Sequence, residues 1–207
     1  MYPNLSLLWI DAHADLNTFN STDSRNAHGM PVSFLIQELY QKYNRPQIDA
    51  RLSGQFQPCL PANRIAYIGL RDLEGHEIRL LEEFQIRHFS MREIDELGIR
   101  RVVELALEAV NPQQDRPLHV SLDVDSLDGQ LVPNTVLPSP GGLTAREAFT
   151  IGEQISATGL LRSLDVVEIN PLIGRRGDLL RTFEMVNNLI LSFLGKRRLQ
   201  LYSRFGN

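Results

Sequence analysis

The stretch Leu5–Asp15, LSLLWIDAHAD, decides how this chain reads. An apolar run of strand length, Leu5–Asp11, passes directly into an acid, a histidine and an acid at alternate positions. Strand side chains alternate faces with a period of two, so Asp11, His13 and Asp15 are expected on one face. Three ionisable groups held together repel one another and resist desolvation unless something neutralises them. A bound cation is the simplest partner.

Working outward, the same alternation of short apolar runs and helix-patterned stretches continues. Further strands are predicted at Ile65–Leu70, Ile86–Phe89, Leu118–Asp125 and Leu164–Ile169, with Leu199–Tyr202 as a sixth. Helices are predicted at Pro31–Tyr40, His76–Glu83, Ile99–Val110, Thr144–Ala157 and Asp178–Leu194. Pro31 suits a first helical turn, and Thr144-Ala-Arg-Glu147 reads as a capping box. Asn44–Asn63 is the main irregular excursion, and Gly129–Gly142, rich in proline and glycine, is a long loop of the kind that is usually functional or disordered. Strands alternating with helices predict an α/β fold, three layers with a mostly parallel sheet between helices. We read residues 1–207 as a single domain.

Composition narrows the function. With 43% hydrophobic and 22% charged residues, the chain is an ordinary globular one. A formal net charge of −4 gives no electrostatic reason to expect nucleic acid or an anionic membrane as partner. Cys59 is the only cysteine, so an internal disulfide is impossible and a reducing, cytoplasmic setting is expected. No run approaches the ~20 apolar residues of a membrane span, and the start MYPNLSLLWI lacks the features of a secretion signal. So few residues precede the first strand that the domain is expected to be incomplete at its N-terminus.

The second chemistry-bearing stretch is Ser121–Asp128, SLDVDSLD. Asp123 and Asp125 again alternate at the end of an apolar run. Ligands of open parallel sheets sit outside the carboxyl ends of the strands, so both clusters are expected at one crevice. A single D-x-D is common in loops and caps. Four carboxylates and an imidazole in one crevice carry too much negative charge without metal. That donor set suits Mn²⁺ or Mg²⁺ better than Zn²⁺, and its charge calls for two ions.

WIDAHADLNT, STDSRNAHGMPVSFL, SLDVDSLD, PGGLT and VVEINP, taken in this order, resemble successive motifs of the ureohydrolases, and most closely of the arginase family. The resemblance runs from Leu7 to about Gly195. It implies a parallel sheet between helices and a binuclear manganese site. Asp11 and Asp123 would bridge both ions, Asp15 would serve one, and His13 and Asp125 the other. The implied reaction is hydrolysis of L-arginine to L-ornithine and urea by a metal-bridging hydroxide. Asp15 would move a proton toward the departing amine, Glu168 would orient the guanidinium, and His28 would shuttle protons. Asn17, Thr22, Ser24 and Asn26 would meet the substrate α-carboxylate directly or through water. Glu74 falls where the family has an aspartate that meets the α-amino group, and Glu77 matches a nearby family acid. The spacing from Asn17 to His28 favours a substrate with an α-carboxylate over agmatine, the substrate of the nearest rival, agmatinase; another guanidino or formimidoyl-amide hydrolase is a further alternative. An impaired arginase-like binding protein is the rival from outside enzymology. Family members often form trimers or hexamers, which leaves a homo-oligomer open.

The sequence departs from the family pattern in places. No G-G-D-H-S motif is present among these residues, and the resemblance implies that one metal site would lack its histidine ligand. Leu137 stands where the family has threonine, Glu74 is one methylene longer than the usual aspartate, and Gly129 replaces a proline. Among the other histidines, His76 and His88 read as structural or surface groups and His119 as a packed, hydrogen-bonded core residue. Lys196–Arg198 reads as a solvated helix end.

Overall fold

The computed structural model describes residues 2, 4–22, 25–44 and 57–199. Along them run β1 (Ser6–Ile10), α1 (Pro31–Leu35), α2 (Gln37–Leu39), β2 (Ile65–Leu70), α3 (Gly75–Glu83) and β3 (Arg87–Ser90). They are followed by α4 (Met91–Leu97), α5 (Ile99–Val110), β4 (Leu118–Asp123), α6 (Ala145–Ala157), β5 (Leu161–Val167) and α7 (Arg176–Phe193).

The sheet has five strands in the order β3-β2-β1-β4-β5, and every neighbouring pair is parallel. The chain lays β1, β2 and β3 outward in one direction, then returns to place β4 on the free side of β1. The strand order therefore reverses between β1 and β4, where open α/β sheets hold their ligands. Register runs from Ser6 opposite Leu118 to Ile10 opposite Leu122, so Asp11 and Asp123 follow as the next positions on neighbouring strands.

The alternation of β1 sorts its side chains between two cores. Leu8 and Ile10 enter one with Ile68, Val120 and Leu122, beneath Val102 and Val103 of α5, Ile151 of α6 and Leu189 of α7. Leu7 and Trp9 enter the other with Ile65 and Tyr67, beneath Val32 of α1, Leu39 of α2 and Leu80 of α3. Helices on both faces of a parallel sheet make three layers, the expected α/β class.

Several local expectations are corrected. The helix predicted over Pro31–Tyr40 breaks at Ile36, which turns extended (φ −79°, ψ 120°) to bridge Leu60, and the chain then ends in a π-helical turn over Tyr40–Asn44. β1 and β4 stop earlier than predicted, at Ile10 and Asp123, because tight turns follow. β5 runs Leu161–Val167 instead of Leu164–Ile169, its polar Arg162 and Ser163 having masked the start. α4 was not predicted, and Gly98 at φ 79° separates it from α5 in the left-handed region that glycine favours. His119 is half-buried and not a core residue; its Nδ1 hydrogen-bonds Ser163 Oγ and its Nε2 lies 3.4 Å from Asp165. Arg198 is not merely solvated, since its guanidinium grips Glu153 at 2.9 and 3.0 Å. Most of the sixth strand, Leu199–Tyr202, and residues 45–56 of the irregular excursion lie outside the described residues.

Candidate active site

Both acidic motifs leave their strands through the same local device. Asp11 Oδ1 accepts the backbone N–H of His13 at 2.7 Å, and Asp123 Oδ1 accepts that of Asp125 at 2.9 Å. An aspartate bonding the N–H two residues on curls the chain into a turn. This corrects the strand-face expectation: these side chains converge because the backbone turns, not because an extended strand alternates. Asp15 then takes φ 51° and Glu168 just past β5 takes φ 63°, in the left-handed region that residues other than glycine enter uncommonly. Such strained positions persist only where surrounding structure holds them, and they cluster at functional sites.

The first loop is held from several sides. Asp11 N–H donates to Ile68 O of β2, and Tyr67 Oη donates to Ala14 O at 2.8 Å. Glu77, buried in the first turn of α3, accepts Leu16 N–H at 3.1 Å and Glu74 N–H at 3.0 Å. Burial pushes the Glu77 carboxyl up. Asn17 Nδ2 donates to Glu74 Oε1 at 3.1 Å, and Ser21 Oγ donates to Asn17 Oδ1 at 3.1 Å.

Donor atoms of Asp11, His13 and Asp125 lie within 4.8 Å of one another. His13 Nδ1 is 3.2 Å from Asp125 Oδ2 and 3.4 Å from Asp11 Oδ1, and Trp9 Nε1–H donates to Asp11 Oδ2 at 2.8 Å. Asp11 is fully buried. Asp15, Asp123 and Asp125 line the cleft above it, a space of about 330 Å³, together with His13, Asn17, Thr22, Asn26, His28, Glu74 and Glu168. Ser24 lies outside the described residues. Asp72, whose carboxylate is 3.6 Å from His13 Nε2, and Glu77 line the same cleft, as does Leu137. Asp72 was missed, though it stands two residues before Glu74. Arg71, beside it, was missed as well.

The electrostatics of this cluster are those of excess buried acid. Burial, opposed by the His13 hydrogen bond, pushes Asp11 up to about 6. Burial and then the Asp11 charge push Asp123 up to about 10, and the same causes push Asp15 up to about 8. Burial disfavours a charged His13, but its bonds to Asp11 and Asp125 outweigh this and lift it to about 11. Burial would raise Asp125, yet the His13 hydrogen bond holds it below the usual carboxylate range. These bonds favour a protonated His13, and the imidazole must give up that proton to become a ligand. Carboxylate oxygens plus one imidazole, converging and short of positive charge, fit a hard divalent cation. Asp11, His13 and Asp125 could hold one ion, with Asp15 and Asp123 beside them.

The family model described as the Arginase family matches residues 1–195. Arginase from Glaciozyma antarctica is 42% identical over 201 residues, spanning 94% of this chain and 55% of that protein. Arginase-2, mitochondrial, of Mus musculus is 44% identical over 197 residues, spanning 95% of this chain and 54% of that protein. The chain spans about half the length of the curated relatives it matches. Of solved structures, Bacillus cereus arginase superposes with a TM-score of 0.82 at 31% identity, covering 96% of this chain and 64% of that one. Entamoeba histolytica arginase in complex with L-ornithine gives 0.80 at 26%, covering 95% and 62%. A family match across nearly the whole chain, joined to this sheet order and this cluster, leads to one conclusion: the chain belongs to the arginase family.

Proposed function

We propose that this chain carries the metal and substrate groups of a manganese-dependent hydrolase that converts L-arginine to L-ornithine and urea. The observation that carries the reading is the convergence of Asp11, His13 and Asp125 with Asp15, Asp123, Glu74 and Glu168 at one cleft. The L-ornithine in the Entamoeba relative supports the same substrate class.

Asp11, Asp15, Asp123, Asp125 and His13 would hold Mn²⁺, which when bound supplies Lewis-acid activation of water and stabilises developing negative charge. Glu168 pairs with the guanidinium and orients its carbon toward the acid cluster. Water adds to that carbon and gives up a proton to Asp15, the bond to the ornithine nitrogen breaks, and Asp15 delivers that proton to the departing amine. His28, exposed at the cleft mouth, relays a second proton from solvent to that amine. Asn17, Thr22, Ser24 and Asn26 engage the α-carboxylate and Glu74 the α-amino group. The Asn17–Glu74 hydrogen bond sets two of these groups side by side. Exposed Cys59, the sole cysteine, suits a reducing compartment such as the cytoplasm. No helix among the described residues is long and apolar enough to cross a membrane.

A second reading, a binding protein that keeps the cleft without turnover, is favoured by Leu137, an apolar side chain on the cleft wall. The test is urea release from L-arginine and from agmatine with Mn²⁺, alongside metal counting. Two Mn²⁺ per chain with urea from arginine supports the proposal. Equal or better turnover of agmatine overturns the substrate, and metal binding without urea supports the second reading.

A further inference from the structure

Arg71 follows β2 and lies half-buried behind the acid cluster. Its backbone N–H donates to Ala12 O at 2.9 Å, inside the first motif. Its guanidinium donates to Asp125 O at 2.6 Å and Ser126 O at 3.2 Å, inside the second motif. It also reaches Ser139 O at 2.7 Å and Pro140 O at 3.1 Å, in the loop that carries Leu137, and Gly69 O at 3.2 Å. Its hydrogen-bond partners are all backbone carbonyls. A planar fork with five donors can satisfy several fixed acceptors at once, which an ammonium cannot.

The surroundings are built around this fork. A Cβ on Gly142 would sit 2.6 Å from Arg71 Nη2 and 2.5 Å from the Leu127 carbonyl carbon, so only glycine lets the two segments close on the guanidinium. They are stitched by Leu143 N–H to Ser126 O at 2.9 Å and Asp128 N–H to Leu143 O at 3.1 Å.

We propose that Arg71 is a positioning residue that fixes the Asp125 turn and the Leu137-bearing cleft wall in one frame, so that metal site and substrate cleft keep a common geometry. This rests on the reading of Asp125 as a metal ligand. A role through charge alone predicts the opposite sign, because a cation beside the site repels a bound cation and its removal should tighten metal binding. Loss of positioning should weaken it, as outer partners of ligands do, by about 10-fold or more.

The test measures Mn²⁺ affinity of the 207-residue chain by the electron paramagnetic resonance signal of free Mn²⁺, for wild type, Arg71→Lys and Arg71→Met. Amide exchange at Asp128 and Leu143 is read without metal, and circular dichroism reports folding. Both variants should bind Mn²⁺ about 10-fold more weakly, and both amides should exchange faster. Val103→Ala, a buried substitution on α5, controls for destabilisation and should leave affinity unchanged. Unchanged or tighter binding by Arg71→Lys overturns the proposal, as does equal weakening by Val103→Ala. Should Arg71→Met fail to fold, Arg71→Lys decides alone. A wild type that binds no Mn²⁺ sinks the metal reading, while unchanged exchange in Arg71→Lys sinks the tie itself.

Discussion

Replacing Glu77 with alanine should destabilise the chain by about 1.5–3 kcal/mol, a magnitude that follows from its two backbone bonds. Leu16 is fully buried, so its N–H finds no water once the carboxylate is gone. Losing a charge-assisted bond to such a donor costs about 1.5–3 kcal/mol. Glu74 N–H opens α3, where solvent replaces part of the lost capping interaction, worth about 1 kcal/mol. Against this stands the relief of no longer burying an acid whose carboxyl burial pushes up, an offset on the order of 1 kcal/mol. For 207 residues the net loss corresponds to a fall in Tm of about 3–12 °C. Glu77→Gln keeps one acceptor oxygen and should lose only about 1 kcal/mol. Calorimetric unfolding of the three chains at one pH is the assay. An alanine variant within about 0.5 kcal/mol of wild type, or a glutamine variant worse than alanine, would refute the assignment of Glu77 as the tie between the Asp15–Asn17 loop and α3.

Asp123→Ala should lower Mn²⁺ affinity by at least about 100-fold and abolish urea release, as read by metal titration and urea assay. Normal metal content with retained activity would place the site elsewhere. Leu137→Thr returns a hydroxyl to the cleft wall and should raise kcat/KM for L-arginine about 5-fold, the worth of about 1 kcal/mol. His119 faces Ser163 and Asp165, and burial holds its pKa below the ordinary value despite the Asp165 charge. Because the folded state binds this proton less tightly than the unfolded chain, the stability it contributes is full above about pH 6.5 and is lost as pH falls through the depressed value. Denaturant midpoints measured from about pH 7 down to pH 5 should decline less steeply for His119→Asn than for wild type.

The sequence made some elements legible because local and tertiary preferences agree there. β2 runs Ile65–Leu70 as predicted, an unbroken apolar run bounded by polar residues, and Thr144 and Glu147 cap α6 reciprocally. Ser90 and Glu93 make the same capping box ahead of α4, so the signal for the missed helix was present. The break at Ile36 had no local signal, since its cause is a bridge to Leu60 across an irregular segment. Asp11, His13 and Asp125 were recognisable as a donor set, but their convergence was attributed to strand alternation, whereas aspartate turns produce it. A period-two argument ends where the extended backbone ends. Arg71 escaped notice because its partners are carbonyls, which the side-chain sequence does not display.

The strand reversal between β1 and β4 has a consequence for how the protein matures. Ala12 N–H reaches Asp125 Oδ1 across 113 positions of sequence. The half-sites are thus strangers until a whole series of strands and helices has been threaded between them, and a cation has no early foothold on the nascent chain. If the cluster holds an ion as proposed, the full donor set is complete only once β1 and β4 are paired. On that reading, free ion at about 100 times its dissociation constant would favour the native state by about 2.7 kcal/mol and would act as a latch on completed assembly.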